Sequence, residues 1–368
     1  LQRERKVIIS GGGTGGHIFP AVAIADALRR IEPGIKILFV GAQGKMEMEK
    51  VPAAGYTIEG LPVVGFDRSF SLRNLAFPVK VVRSLMKARE IIGRFKPDVA
   101  VGVGGYASGP LLFMASRKRV PTLIQEQNSY PGVTNKLLAR KAARICVAYD
   151  GMERFFPKSK IILTGNPVRE DMVNTKGKKP EAAKWFGLDP AAPVVLAVGG
   201  SQGARSINHA VKAGLSLFAG AGIQLIWQCG KAYHDEARRV VEQSGYPGIR
   251  VLDFISRMDF AYAMADVVLS RAGASTVSEL CIVGKPSILV PLPTAAEDHQ
   301  THNCQALVDR NAAWLVKDAR AMADLVPKAI ELIRDKQTRE TLGANIASLA
   351  MRDSAKLIAN EVLKLIRN

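Results

Sequence analysis

Along the chain, short apolar runs alternate with longer amphipathic stretches. Val7–Ser10, Ile37–Val40, Val99–Val103, Thr122–Gln125 and Ile145–Ala148 are compact runs rich in Val and Ile. Runs without a polar alternation predict strands buried on both faces, hence a parallel sheet covered by helices. A helix is predicted from about Pro20 to Arg30, where Ala21, Ile24, Ala25 and Leu28 recur at helical spacing. The pattern then restarts with Pro193–Val198, Ile223–Gln228, Ile249–Leu252, Val267–Ser270 and Pro286–Val290. Between the two series Asn166–Pro180 is polar and Lys-rich, and reads as a linker. The expectation is two α/β domains, residues 1–165 and 166–353, each opening with strand, glycine loop and helix. A last helix over 354–368 can pack on either domain, with the first as its candidate. Such sheets bind ligands beyond the carboxyl ends of their strands, so two facing sheets would form a cleft.

Composition sharpens this. The chain has 368 residues and 48% apolar content, enough for two ordinary cores. It carries 51 Lys/Arg against 33 Asp/Glu, a net +18. Residues 1–169 hold 27 of the bases and 12 of the acids, a net +15; the remainder holds 24 and 21, a net +3. The first half should therefore attract anions: nucleic acid, an anionic membrane or a phosphorylated substrate. Nucleic acid is disfavoured because no aromatic RNP-like stretch, zinc knuckle or helix-turn-helix is evident. Cys146, Cys229, Cys281 and Cys304 form no CxxC pair and read as reduced, buried cytosolic thiols. Val7-Ile8-Ile9 is too short for a signal-peptide core, and no apolar run approaches the ~20 residues of a membrane span. Any membrane contact is expected to be peripheral.

Three loops carry candidate chemistry. The first is Gly11-Gly12-Gly13-Thr14-Gly15-Gly16-His17, whose backbone N–H groups at a helix start would face an oxyanion. Gly11, Gly13 and Gly16 also satisfy GxGxxG, but the second strand ends Phe39-Val40-Gly41-Ala42-Gln43, without the acidic residue a dinucleotide ribose needs. The second loop is Gly199-Gly200-Ser201-Gln202-Gly203-Ala204. The third, Ser270 to Glu279, admits two readings. Thr276 and Glu279 fit a capping box, with Glu279 bonded only to backbone. Alternatively the loop amides face phosphate and Glu279 takes two ribose hydroxyls. No Walker lysine follows any of these loops, and HExxH and DxD are absent. Asp298, His299 and His302 offer a possible metal set, for which polar ligand contact or solvated surface is the commoner reading.

Long blocks of the chain are similar to one family. GGGTGGHIFPAVAIADAL (11–28), GGYASGP (104–110), QEQNSYPGVTNK (125–136), GNPVR (165–169), GGSQGARSIN (199–208), RAGASTVSEL (271–280) and EDHQTHN (297–303) together resemble the MurG family of peptidoglycan N-acetylglucosaminyltransferases, in family order and over nearly the whole chain. The resemblance implies a GT-B fold, two Rossmann-like α/β/α domains facing across a cleft. It implies UDP-N-acetylglucosamine (UDP-GlcNAc) as donor, undecaprenyl-linked lipid I as acceptor and lipid II as product. It further implies inversion at the anomeric carbon, with no cofactor and no metal. Carried over by motif, donor contacts would be Thr14, Gly15, Gly16, Asn128, Arg169, Ser201, Ile255, Ala274, Ser275, Thr276, Val277, Ser278, Glu279 and Gln300. The family often has a second glutamine after the first; here it is Thr301. The implied place is the cytoplasmic face of the bacterial inner membrane, peripherally bound, with other cell-wall synthesis proteins as further partners.

An inverting transfer needs an acceptor for the attacking hydroxyl's proton. His17, at the end of the first loop, is the first candidate; an imidazole is largely neutral near pH 7. It could also serve only as a helix cap or acceptor contact, and Glu126, near Asn128, is the alternative base. For membrane contact, residues 66–96 hold eight Lys/Arg and two acids among scattered aromatics. The stretch Phe66–Phe77 has no clear period, whereas the helix from Pro78 should bury its apolar side. Phe70, Leu72, Leu75 and Phe77 would form an apolar tip, with Arg73, Lys80, Lys136, Arg140 and Lys141 as a basic collar against anionic lipid.

Overall fold

The computed structural model describes residues 4–63, 77–168, 170–200 and 202–366. It divides into two compact units: unit 1 is Leu1–Val168 with Arg352–Asn368, and unit 2 is Arg169–Met351.

Unit 1 begins β1 (Lys6–Ser10), α1 (Gly15–Ile31), β2 (Lys36–Ala42), α2 (Glu47–Ala53) and β3 (Thr57–Leu61). It continues α3 (Phe77–Phe95), β4 (Val99–Gly102), α4 (Ser108–Arg117), β5 (Thr122–Glu126), α5 (Val133–Ala139), β6 (Arg144–Val147) and β7 (Ile161–Leu163). The strands form one parallel sheet in the order β3-β2-β1-β4-β5-β6-β7. Side chains of a strand alternate between faces, and β1 shows it. Val7 and Ile9 join one core with Ile24 and Leu28 of α1, while Ile8 joins the other with Ile91 of α3 and Leu111 of α4. Both faces are covered, so the strands carry no polar alternation.

Unit 2 begins α6 (Glu170–Val173), α7 (Lys179–Phe186), β8 (Val194–Val198), α8 (Arg205–Ala213), α9 (Leu215–Gly220), β9 (Gln224–Gln228), α10 (His234–Ser244) and β10 (Ile249–Leu252). It continues α11 (Met258–Met264), β11 (Val267–Ser270), α12 (Ala274–Val283), β12 (Ser287–Leu289), α13 (His299–Val308), β13 (Trp314–Leu315), α14 (Ala321–Arg334) and α15 (Lys336–Ser348). Its sheet is also parallel, ordered β10-β9-β8-β11-β12-β13. Trp227, Phe218, Leu325 and Leu332 anchor one of its cores.

The chain ends in α16 (Ser354–Leu365), whose Ile358, Ala359 and Val362 are fully buried against the α1 side of the first sheet. The segment read as a linker is structured beyond Arg169. It holds α6 and the start of α7, and Lys178 makes an ion pair with Asp259 of α11 at 2.8 Å.

Candidate active site

In each sheet the strand order reverses direction at one place, and ligands of open α/β sheets bind beyond the strand ends there. In unit 1 that place lies between β1 and β4, and in unit 2 between β8 and β11. The glycine loops follow these four strands. Because the strands are parallel, the loops after β5, β10 and β12 open on the same edges as their neighbours.

The first loop is braced from behind by a residue the sequence did not single out. Glu47 is completely buried and accepts hydrogen bonds from Gly13 N and Ala42 N, both at 2.9 Å. Gly12 makes room for it: a Cβ there would fall 2.2 Å from Glu47 Oε1. The loop after β4 closes on the front. Ser108 Oγ donates to Ser10 O at 3.0 Å, and Gly104, at φ +104°, lies so close to the His17 ring that a Cβ would fall 2.5 Å from Cδ2.

His17 stands in the first turn of α1, the third residue of the helix rather than its cap, which is Thr14. Its Nδ1 lies 3.1 Å from Gly12 O and 3.4 Å from Thr14 Oγ1. A carbonyl can only accept, so this contact requires a proton on Nδ1 and leaves Nε2 of the neutral ring as an acceptor. The first turn of α1 contains no acidic residue and no side-chain cap, so its N–H groups and dipole favour a negatively charged or oxygen-rich group.

Glu126 is enclosed at the end of β5, only 2% exposed. Its Oε1 accepts Asn128 N at 3.0 Å and Asn128 Nδ2 at 3.3 Å; its Oε2 accepts Gly132 N at 3.3 Å and Asn135 Nδ2 at 2.8 Å. Burial pushes its carboxyl above the usual range, against the pull of those donors. The arrangement ties down the loop that presents Asn128. Both of its oxygens are engaged by these donors.

In unit 2 the loop after β8 packs backbone to backbone on the loop after β9; a Cβ on Gly203 would fall 1.9 Å from Cys229 O. Asn208 Nδ2 donates to the same carbonyl at 2.8 Å and its Oδ1 accepts Trp227 Nε1 at 3.0 Å, fixing α8 beneath the loop. Ser201 and Arg169 lie outside the described residues. Arg271, first after β11, stitches the strand ends together. It donates from Nη1 to Val290 O at 3.1 Å and to Asp318, and from Nη2 to Ser206 Oγ at 3.1 Å.

The geometry of the third loop removes the capping-box reading. Gly273, extended at φ −67° and ψ 145°, is the N-cap of α12, so Thr276 is already helical and no capping box forms. The first turn, Ala274 to Val277, has neither acid nor side-chain cap. Glu279 is a turn further on, where its Oε2 accepts the hydroxyl of Tyr262 at 2.8 Å. Ile255 is buried after β10, and Gln300 of α13 accepts Leu292 N at 3.0 Å through Oε1. Asp298 accepts Thr301 Oγ1 at 2.7 Å, and His299 Nδ1 lies 2.6 Å from Ala296 O. Among the described residues no three His, Cys, Asp or Glu side chains gather as a metal set.

Phe70, Leu72, Arg73 and Leu75 lie outside the described residues, and Phe77 opens α3. The helix expected to bury its apolar side does so through Ala88, Ile91 and Ile92, yet leaves Val79, Val82 and Met86 exposed, Met86 by 67%. On α5 Val133 and Leu137 are exposed as well, Leu137 by 76%. Lys136 sits over the Tyr130 ring at 4.0 Å and Arg140 is exposed. No helix among the described residues is long and apolar enough to cross a membrane.

Known proteins match this architecture over its whole length. Residues 7–147 match the glycosyltransferase family 28 N-terminal domain and residues 194–358 its C-terminal domain. The chain is 58% identical over 366 residues to the UDP-N-acetylglucosamine--N-acetylmuramyl-(pentapeptide) pyrophosphoryl-undecaprenol N-acetylglucosamine transferase of Phocaeicola vulgatus, covering 99% of this chain and 97% of that one. It is 54% identical to the protein of the same name from Parabacteroides distasonis, over 99% of both chains. The crystal structure of Acinetobacter baumannii MurG superposes with a TM-score of 0.79 at 27% identity, over 98% of this chain and 99% of that one. The two parallel-sheet domains are thus those of a GT-B glycosyltransferase, and the chain belongs to glycosyltransferase family 28, within the MurG family of N-acetylglucosamine transferases.

Proposed function

We propose that the protein transfers N-acetylglucosamine from UDP-GlcNAc to the 4-hydroxyl of the muramyl sugar of lipid I, giving lipid II for peptidoglycan. The observation that carries this is full-length identity above half to transferases named for that reaction, joined to an acid-free helix start at α12 with a carboxylate one turn in.

The donor's uridine and diphosphate bind the strand-end edge of unit 2. Amides of Ala274, Ser275, Thr276 and Val277 meet the diphosphate with the dipole of α12 behind them. Ser278 and Glu279 follow on the same helix, Glu279 accepting the ribose hydroxyls; Ile255 and Gln300 line the neighbouring loops, and Arg169 and Ser201 add a cation and a hydroxyl. Thr14, Gly15, Gly16 and Asn128 serve the sugar. The reaction is a single displacement. The acceptor oxygen bonds to the anomeric carbon from one face as the bond to the β-phosphate oxygen breaks on the other, so the configuration inverts. The bonding electrons leave with UDP. The hydroxyl proton passes to Nε2 of His17, whose Nδ1–H is already engaged by Gly12 O. No metal is required, because amides, dipole and Arg169 meet the leaving group's charge.

The protein docks peripherally on the cytoplasmic face of the membrane through unit 1. Val79, Val82, Met86, Val133 and Leu137 supply exposed apolar surface, and Lys80, Lys136 and Arg140 supply charge. Each base near an anionic surface contributes about 1 kcal/mol.

UDP release with a short-chain lipid I analogue tests the reading. Release is expected with UDP-GlcNAc and far less with UDP-glucose. Equal release with both sugars would overturn the donor assignment; intact UDP binding without release would redirect the acceptor.

A further inference from the structure

A carboxylate that bridges two neighbouring ribose hydroxyls must present a defined orientation. A half-buried glutamate on a helix otherwise samples several rotamers and loses that freedom on binding. Glu279 is half-buried on α12, and its orientation is set from another helix. Tyr262 Oη donates to Glu279 Oε2 at 2.8 Å. Tyr262 is only 2% exposed, and every residue of its helix, Met258 to Met264, is buried. The phenol therefore cannot swing away, and its hydroxyl is a fixed point beside the start of α12.

We propose that Tyr262 is the positioning residue for nucleotide recognition: its hydroxyl locks Glu279 in the rotamer that accepts the 2′- and 3′-hydroxyls of the donor's ribose, and so sets selectivity for ribonucleotides over 2′-deoxyribonucleotides. The inference rests on the reading of the β11–α12 loop as the donor seat, and adds to it the group that makes the carboxylate selective. Burial and the neighbouring Glu279 push the phenol well above its ordinary range, so Tyr262 keeps its proton and remains a donor. A site that orients a buried acceptor toward a substrate hydroxyl rejects the analogue lacking it, since the acceptor is then left unpaired.

The test is calorimetric binding of UDP and 2′-deoxy-UDP to the full chain, to Tyr262→Phe, to Glu279→Gln and to the double variant, with donor KM and kcat measured alongside. Tyr262→Phe should weaken UDP about tenfold, a value set by loss of one hydrogen bond to a charged group. It should weaken 2′-deoxy-UDP much less, so that the ratio of the two collapses. Donor KM should rise more than kcat falls, and the double variant should bind no worse than Glu279→Gln alone. Tyr262→Met, which also lacks the hydroxyl, should reproduce the collapse. If Glu279→Gln erases the ratio while Tyr262→Phe and Tyr262→Met preserve it, or weaken both nucleotides equally, Tyr262 is packing and the inference fails alone. If Glu279→Gln leaves the ratio unchanged, the ribose role of Glu279 fails and takes the inference with it.

Discussion

Replacing Glu47 by alanine tests whether the first glycine loop is held from within the domain. Glu47 is completely buried, and its two oxygens satisfy Gly13 N and Ala42 N. Alanine leaves both N–H groups without that partner, and a buried donor so abandoned costs about 1–3 kcal/mol. Two of them give ~2–6 kcal/mol, and water entering the vacated space places the value near the middle, about 4 kcal/mol. For a domain of this size each kcal/mol lowers Tm by about 2–4 °C, so the first transition in scanning calorimetry should fall by about 10 °C. Glu47→Gln keeps one acceptor oxygen and turns an amide NH2 on the other N–H, so it should fall between the two. Because His17 Nδ1 bonds Gly12 O of this loop, transfer should slow in both variants at temperatures where they remain folded. A Glu47→Ala protein melting within about 2 °C of the parent would refute the reasoning, since it would mean that the loop holds itself.

His17→Ala should lower kcat by at least about a hundredfold, the usual worth of a general base, with donor KM nearly unchanged; steady-state kinetics that show near-normal turnover exclude His17 as the base. Asp259, paired with Arg257 and Lys178, is held well below the usual carboxylate range, chiefly by the Arg257 hydrogen bond. A depressed carboxyl contributes stability above its unfolded pKa of about 3.9 and loses it as pH falls toward the folded value. Urea titrations should therefore show Asp259→Asn less stable by a constant amount between pH 5 and 8, roughly, with the gap narrowing below about pH 4. Val82→Asp with Met86→Asp on α3 should reduce sedimentation with anionic liposomes while leaving Tm nearly unchanged, because both residues are exposed. Binding of the parent should also weaken with salt.

The central strands were legible because both their faces are buried, so runs such as Val7-Ile8-Ile9 and Val267-Val268-Leu269 carry no polar interruption. The strands that escaped are edges. Thr57–Leu61 contains Glu59 and Gly60, and Ile161–Leu163 and Trp314–Leu315 are too short to show a period; β3, β7 and β13 each close a sheet. The polar stretch before Pro180 read as linker because its cohesion is long-range: Lys178 finds Asp259 81 residues later. The same rule governs the site. Glycine loops announce themselves, since close backbone approach admits little else. Glu47 and Tyr262 do not, because their partners Gly13 and Glu279 are brought to them only by the fold. Glu279 itself was ambiguous in sequence, and only the fold, by placing Gly273 at the start of the helix, removes the capping-box reading.

The central claim is transfer of N-acetylglucosamine onto lipid I without a metal. Its most direct test is incorporation of label from radiolabelled UDP-GlcNAc into a short-chain lipid I analogue, with excess EDTA present throughout. The account predicts a labelled lipid II product at the same rate with and without EDTA. No labelled lipid while UDP-GlcNAc still binds would contradict the acceptor. Loss of transfer only with EDTA would contradict the metal-free stabilisation of the leaving group, and return Asp298, His299 and His302 to consideration as metal ligands.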